Sequence, residues 1–104
     1  MKYISTKDKK HKVSFREAVL TGLAPNGGLY MPETITPLSA AFYSNLEGMS
    51  KETIAMEVLK PFVGEEIDEK SLLRIVTETL DFDFPVEHIH DNIHALELFH
   101  GPTL

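Results

Sequence analysis

Near the end of the chain an apolar run, Leu96 to Phe99, opens into His100-Gly101-Pro102-Thr103. A rigid strand that ends in a loop is where α/β enzymes place reactive groups. Gly101 lets a second backbone or a ligand approach closely, Pro102 fixes the loop, and Thr103 can hydrogen-bond an anionic group. His100, between the apolar run and the Gly-Pro break, is a candidate to face a cleft. Read by itself, such a tetrapeptide is more often a plain turn.

Two other groupings carry chemically useful side chains. His88, His90 and His94 form an H-x-H-x-x-x-H pattern, and on a strand His88 and His90 would share a face within reach of one zinc ion. A tetrahedral site needs more ligands and a second shell, and the chain has no cysteine, so a solvated hairpin is the plainer reading and no metal is expected. Asn26-Gly27-Gly28 is glycine-rich, as phosphate cradles are. A cradle follows a strand and opens a helix, whereas this turn follows a helical pattern and leads into an extended one. It reads as a tight turn.

The elements that would position these groups follow from periodicity and punctuation. Lys2 to Thr6 alternates β-formers with polar residues and predicts a short strand, followed by a charged loop over Lys7 to Lys12. Ser14 and Glu17 make a capping box for a helix whose stripe is Phe15, Ala18, Val19 and Leu23, stapled by Val13 and stopped by Gly22. Leu29-Tyr30-Met31 is a brief extended run closed by Pro32. A short helix is expected from Ala40 to Leu46. Ser50 caps a longer one with Ile54, Ala55, Val58, Leu59 and Phe62 inward and Pro61 near its end. Asp68 caps the next, with Ile67 as staple and Leu72, Leu73, Val76 and Leu80 facing the core. These two helices should pack antiparallel. Val86 to His90 and Ile93 to Phe99 read as strands joined at Asp91-Asn92, residues that tolerate left-handed φ. The fold class is α+β, helices packed on a short sheet.

At 104 residues the chain is one small domain, and 42% hydrophobic content is too high for disorder. The lack of cysteine removes disulfide and thiol chemistry. No signal-like or membrane-spanning segment stands out, so a cytoplasmic protein with no membrane partner is expected. Net charge is −6, yet residues 1–17 carry +4 and the remainder −10. A basic arm on an acidic body could meet an anionic ligand, but the acidic body would repel a polyphosphate backbone, so no nucleic acid is expected.

The closing Glu97-Leu98-Phe99-His100-Gly101-Pro102-Thr103-Leu104 resembles the E-L-F-H-G-P-T-L stretch of the threonine synthases. The resemblance extends back along the chain. Tyr3-Ile4-Ser5-Thr6 is similar to that family's opening strand. Val13-Ser14-Phe15, Ala18-Val19, Gly22-Leu23-Ala24-Pro25, Gly28-Leu29-Tyr30 and Pro32 match its V-S-F-x-x-A-V-x-x-G-L-A-P-x-x-G-L-Y-x-P pattern, and Leu59 to Gly64 is also similar. Many members follow Ser-Thr with Arg-Gly where this chain has Lys7-Asp8, a departure that matters because lysine cannot grip a phosphate bidentately as arginine does.

The resemblance implies a fold-type II enzyme that uses pyridoxal phosphate (PLP) to convert O-phospho-L-homoserine and water to L-threonine and phosphate by β,γ-elimination and hydration. In the family the final motif continues Ala-Phe-Lys-Asp, and the lysine carries PLP as a Schiff base. The expectation is therefore an N-terminal piece that stops three residues short of that lysine, with residues 1–92 one domain and 93–104 the first strand and loop of the cofactor domain. Such a piece would hold no catalytic residue and no cofactor of its own. His100, Gly101, Pro102, Thr103, Ser5 and Thr6 are the candidates to line the active site, and the uncovered strand 93–99 is expected to self-associate. Two other classes stay open: a free-standing binding module that pairs through its hairpin edge, and a histidine-based metal protein.

Overall fold

The computed structural model describes residues 1–98, and the calls on Phe99, His100, Gly101, Pro102, Thr103 and Leu104 lie outside the described residues. Strands β1 (Tyr3–Ser5), β2 (Asp8–Val13) and β3 (Tyr30–Pro32) form a sheet in the order β2-β1-β3. Both neighbours run antiparallel to β1, with Tyr3 opposite Val13 and Pro32, and Ser5 opposite Asp8 and Tyr30. The segment read as a charged loop is thus an edge strand. Lysine is a poor strand former, but β1 supplies the pairing, and Val13 is buried while the lysines stay in solvent. Lys12 and Glu33 form an ion pair from the two flanking strands.

Helix α1 (Phe15–Thr21) begins where Ser14 Oγ accepts from the Glu17 amide and ends where Gly22, at φ 70°, donates to the Ala18 carbonyl. The rest of the capping box is supplied from elsewhere. Glu66 accepts from the Phe15 and Arg16 amides at 3.1 and 2.9 Å. Tyr3, Val13 and Ala18 are buried together, with Phe15 beside them. Val19 and Leu23, expected in the same stripe, are exposed because a helix this short meets the sheet along one narrow face.

Helix α2 (Ala40–Asn45), capped by Ser39, runs into a 3-10 turn at Leu46–Gly48. Helices α3 (Lys51–Val63) and α4 (Glu69–Thr79) carry the larger core. Lys60 near the end of α3 pairs with Glu69 at the start of α4, while Lys51 at the other end donates to the Phe82 carbonyl past α4's end. That makes the pair antiparallel. Met56, Val63, Leu72 and Val76 are buried between them, with Phe15, Ala55, Ile67 and Leu80 packed alongside. The inward face of α3 is therefore turned from the expected one: Leu59 on α3 and Leu73 on α4 are 37% and 45% exposed. Pro61 is tolerated within the last turn, and Gly64 closes the helix.

Tyr3 Oη donates to the Phe62 carbonyl and joins the sheet to the end of α3. Burial, with the Glu66 carboxylate as a second cause, raises the phenol's pKa above 10.0. Strands β4 (Val86–His90) and β5 (Ile93–Leu96) form a separate antiparallel hairpin whose turn holds Asp91 at φ 48°. Every residue of the two strands is exposed.

Candidate functional site at the Ser5–Gly28 corner

Ser5 is the buried polar side chain among the described residues, with no exposed surface. Its hydroxyl donates to Asn26 Oδ1 at 2.9 Å and accepts from the Lys7 amide at 3.2 Å. Asn26 Oδ1 also accepts from the Gly28 amide at 3.0 Å. A buried hydroxyl left without partners would cost about 1–3 kcal/mol, so these contacts make its burial possible. They bind the end of β1 to the turn after α1.

The turn is shaped for that contact. An antiparallel bridge joins Leu23 to Leu29, the Gly27 amide donates to the Ala24 carbonyl, and Gly27 sits at φ 74°, a conformation glycine adopts without strain. A Cβ on Gly28 would lie 2.2 Å from Ser5 Oγ, so residue 28 has room only for hydrogen. The amides of Gly27 and Gly28 are spent within the turn. The glycine-rich segment is a lock on β1 and presents no convergent amides to a phosphate.

Thr6 and Lys7 stand at the outside of this corner. The Thr6 amide donates to the Leu29 carbonyl, and Thr6 Oγ1 accepts from the Leu29 amide at 3.0 Å, which leaves the hydroxyl proton directed away from its backbone partner. Lys7 Nζ folds back to 3.4 Å from the position of a Gly27 Cβ. No carboxylate within 4.0 Å pairs with Lys7 among the described residues. His11 Nε2 and Tyr30 Oη meet at 3.0 Å from the strands that flank β1, with their rings stacked. Of the site residues expected from sequence, Ser5 and Thr6 are therefore adjacent but unlike: one locked inside, one at the surface. Asn26, Lys7 and the His11–Tyr30 pair join them through the sheet, and their spacing in sequence gave no sign of it.

The histidines are arranged otherwise than a metal site requires. Strand register slips between His88 and His90, and His94 is the ring that faces His88, 5.1 Å away and steeply tilted. His88 Nε2 lies 2.9 Å from the Asp91 carbonyl, and His90 Nδ1 is 3.4 Å from the Asp91 carboxylate. Among the described residues no three metal-ligating side chains converge. No helix among them is long and apolar enough to cross a membrane.

PLP needs an amine free to form an imine and donors for its phosphate. Lys51 is held by the Phe82 carbonyl. The hollow beside Lys60 is lined by Glu65, Asp68 and Glu69, and Glu69 already holds the Lys60 ammonium at 3.1 Å. Three carboxylates would repel the cofactor's phosphate. Neither Lys51 nor the hollow beside Lys60 offers PLP a free amine and a phosphate site.

A family model described as threonine synthase N terminus matches residues 2–80. The threonine synthase of Pseudomonas aeruginosa is 35% identical over all of this chain and 23% of its own length. The crystal structure of threonine synthase from Escherichia coli superposes with a TM-score of 0.90 at 35% identity, covering 100% of this chain and 24% of that one. The PLP-bound threonine synthase from Brucella melitensis gives 0.87 at 39% identity, covering 98% and 23%. The chain thus spans about a quarter of the length of the relatives it matches. By the extent of the family match and the agreement of the folds, the chain belongs to the threonine synthase N-terminal family.

Proposed function

We propose that this chain is the N-terminal domain of a PLP-dependent threonine synthase, a lyase that converts O-phospho-L-homoserine and water to L-threonine and phosphate in the cytoplasm. The observation that carries the reading is the superposition of 98% of the chain on a PLP-bound threonine synthase at 39% identity. In this reading the cofactor is held by the rest of the enzyme. The domain supplies a rigid wall. The Ser5–Asn26–Gly28 lock holds Thr6 at the surface, and Thr6, with the buried Ser5 beneath it, borders the active site together with His100, Gly101, Pro102 and Thr103.

Residues 1–92 form this domain, and 93–104 begin the next. Among the free strand edges, β2 is lined by Lys9, Lys10 and Lys12 and β3 contains Pro32, while β5 reads Ile-His-Ala-Leu with no formal charge or proline. Lysine and proline on an edge discourage further pairing, and a two-stranded hairpin is marginal by itself. Its open edge takes a third strand: from the rest of the enzyme in the full-length protein, and from a second copy when the chain is alone.

The test is activity. The full-length protein with PLP should release inorganic phosphate and form threonine in equal amounts from O-phospho-L-homoserine. Failure to do so with correctly folded, PLP-loaded protein overturns the reading.

A further inference from the structure

The chain has three asparagines, Asn26, Asn45 and Asn92, and Asn26 is the one followed by glycine. Asparagine is thermolabile because the backbone nitrogen of the next residue can attack its side-chain carboxamide. Leu46 and Ile93 crowd that attack at Asn45 and Asn92, whereas Gly27 leaves the approach open. In the folded corner both reacting groups are engaged. The Gly27 amide donates to the Ala24 carbonyl at 2.7 Å. Asn26 Oδ1 accepts from Ser5 Oγ at 2.9 Å and from the Gly28 amide at 3.0 Å. Ser5 and Gly28 are both buried, so these two donors have no water to turn to while the corner is closed. Asn26 itself is exposed, and solvent reaches its carboxamide once those contacts part.

We propose that Asn26 is a site of spontaneous deamidation gated by the Ser5 corner, slow while the corner is closed and fast once it opens. In the step, the Gly27 amide gives its proton to solvent base and its nitrogen attacks Asn26 Cγ. The Cγ–Nδ2 bond breaks, ammonia leaves and a succinimide remains. One water then opens the ring. Attack at Cγ gives aspartate, and attack at the main-chain carbonyl gives isoaspartate, in which the chain runs through the side chain. The balance is one water consumed and one ammonia released. Aspartate keeps an oxygen to which Ser5 and Gly28 can donate. Isoaspartate adds a methylene to the backbone between residues 26 and 27. The turn then cannot keep Gly27 at φ 74° on the Ala24 carbonyl while Leu23 bridges Leu29. The corner is left open, a lasting record of its own opening. The inference goes beyond the enzymatic reading and does not depend on it.

The experiment ages the protein at neutral pH, folded and in urea at the same temperature. Peptide mass spectrometry, with fragmentation that separates aspartate from isoaspartate, reads all three asparagines. Deamidation should centre on Asn26 and run about tenfold or more slower in the folded protein, since the Gly27 amide and the Asn26 oxygen must both be freed first. Equal rates in the two states overturn the gate, and Asn45 or Asn92 reacting first overturns the site. Ser5→Ala removes one donor, so it should speed the folded-state reaction several-fold and leave the rate in urea unchanged. A slower reaction in folded Ser5→Ala would mean that the donors stabilise charge on Oδ1 and promote the attack, which overturns the gate. Should that variant not fold, the wild-type comparison decides alone. The fate of the products is read by hydrogen exchange at the Gly28 amide. Asn26→Asp should keep that amide protected, whereas the isoaspartyl fraction of protein aged in urea and refolded should lose its protection. Equal protection in the two overturns the lasting opening.

Discussion

Gly28 and Ser5 meet so closely that each constrains the other. Gly28→Ala brings a methyl to 2.2 Å from Ser5 Oγ, with Asn26 Oδ1 and the Lys7 amide next nearest at 3.0 and 3.1 Å. Overpacking of this kind costs about 1–3 kcal/mol. Ser5→Ala removes the nearest atom but not the other two, so the double variant should recover only part of the loss. Chemical denaturation of all four forms of the pair checks this, and additive effects would show that Ser5 is not the atom in the way. Glu66 makes a second residue-scale case. Its pKa is lowered from 4.5, chiefly by the Arg16 amide and also by the Phe15 amide and Ser14. A carboxylate with a lowered folded-state pKa stabilises the fold above its unfolded value, and loses that contribution as pH falls through the folded one. Glu66→Gln should therefore lower the melting temperature near neutrality, and the difference should shrink below pH about 4.5. Equal differences at all pH values would mean the charge is immaterial. Neither the Ser5 corner nor the Glu66 contact could be read from sequence, since Ser5 and its partner Asn26 are 21 residues apart and Glu66 and Arg16 are 50.

At the scale of elements, what was legible was local. Ser14, Ser50 and Asp68 each accept from the amide three residues on, the capping geometry their sequence positions imply. The hairpin turn at Asp91 and the break at Gly22 were equally plain. What was not legible was which face of a helix turns inward, because that depends on a partner far along the chain. On α3 the buried residues are Met56 and Val63, with Leu59 over a third exposed. Leu72→Ala should accordingly cost about 2–5 kcal/mol, the usual loss at a filled core site. Leu59→Ala should cost about 1 kcal/mol or less, within the range of surface changes. Reversal of that order in thermal melts would refute the assigned packing. Strand β2 was missed for a related reason: four of its six residues are charged, and only pairing with β1 makes them a strand.

At the scale of the whole molecule, exposed apolar side chains include a row along the C-terminal hairpin. Val86, Ile89, Ile93, Leu96 and Leu98 are each more than half exposed along the hairpin and the residues after it. Pairing of β5 with β5 of a second copy would cover several of them, each returning about 1.5–3 kcal/mol if fully buried. The charge of −6 opposes such pairing, so it should strengthen as salt rises. Sedimentation should show a concentration-dependent dimer that Leu96→Lys abolishes. A monomer throughout, indifferent to salt and to that substitution, would mean that the hairpin keeps its edge closed by other means.

The long-range links made by Tyr3 and by the start of α1 have a consequence for synthesis. Tyr3 finds its acceptor at Phe62, and the first amides of α1 find theirs at Glu66. Partners for the opening strand and the first helix thus emerge from the ribosome long after them. The nascent sheet must wait, held by its lysine-rich edge from pairing with a neighbouring nascent chain. A stalled-ribosome force measurement should register the folding step only in chains long enough to bring Glu66 out of the exit tunnel.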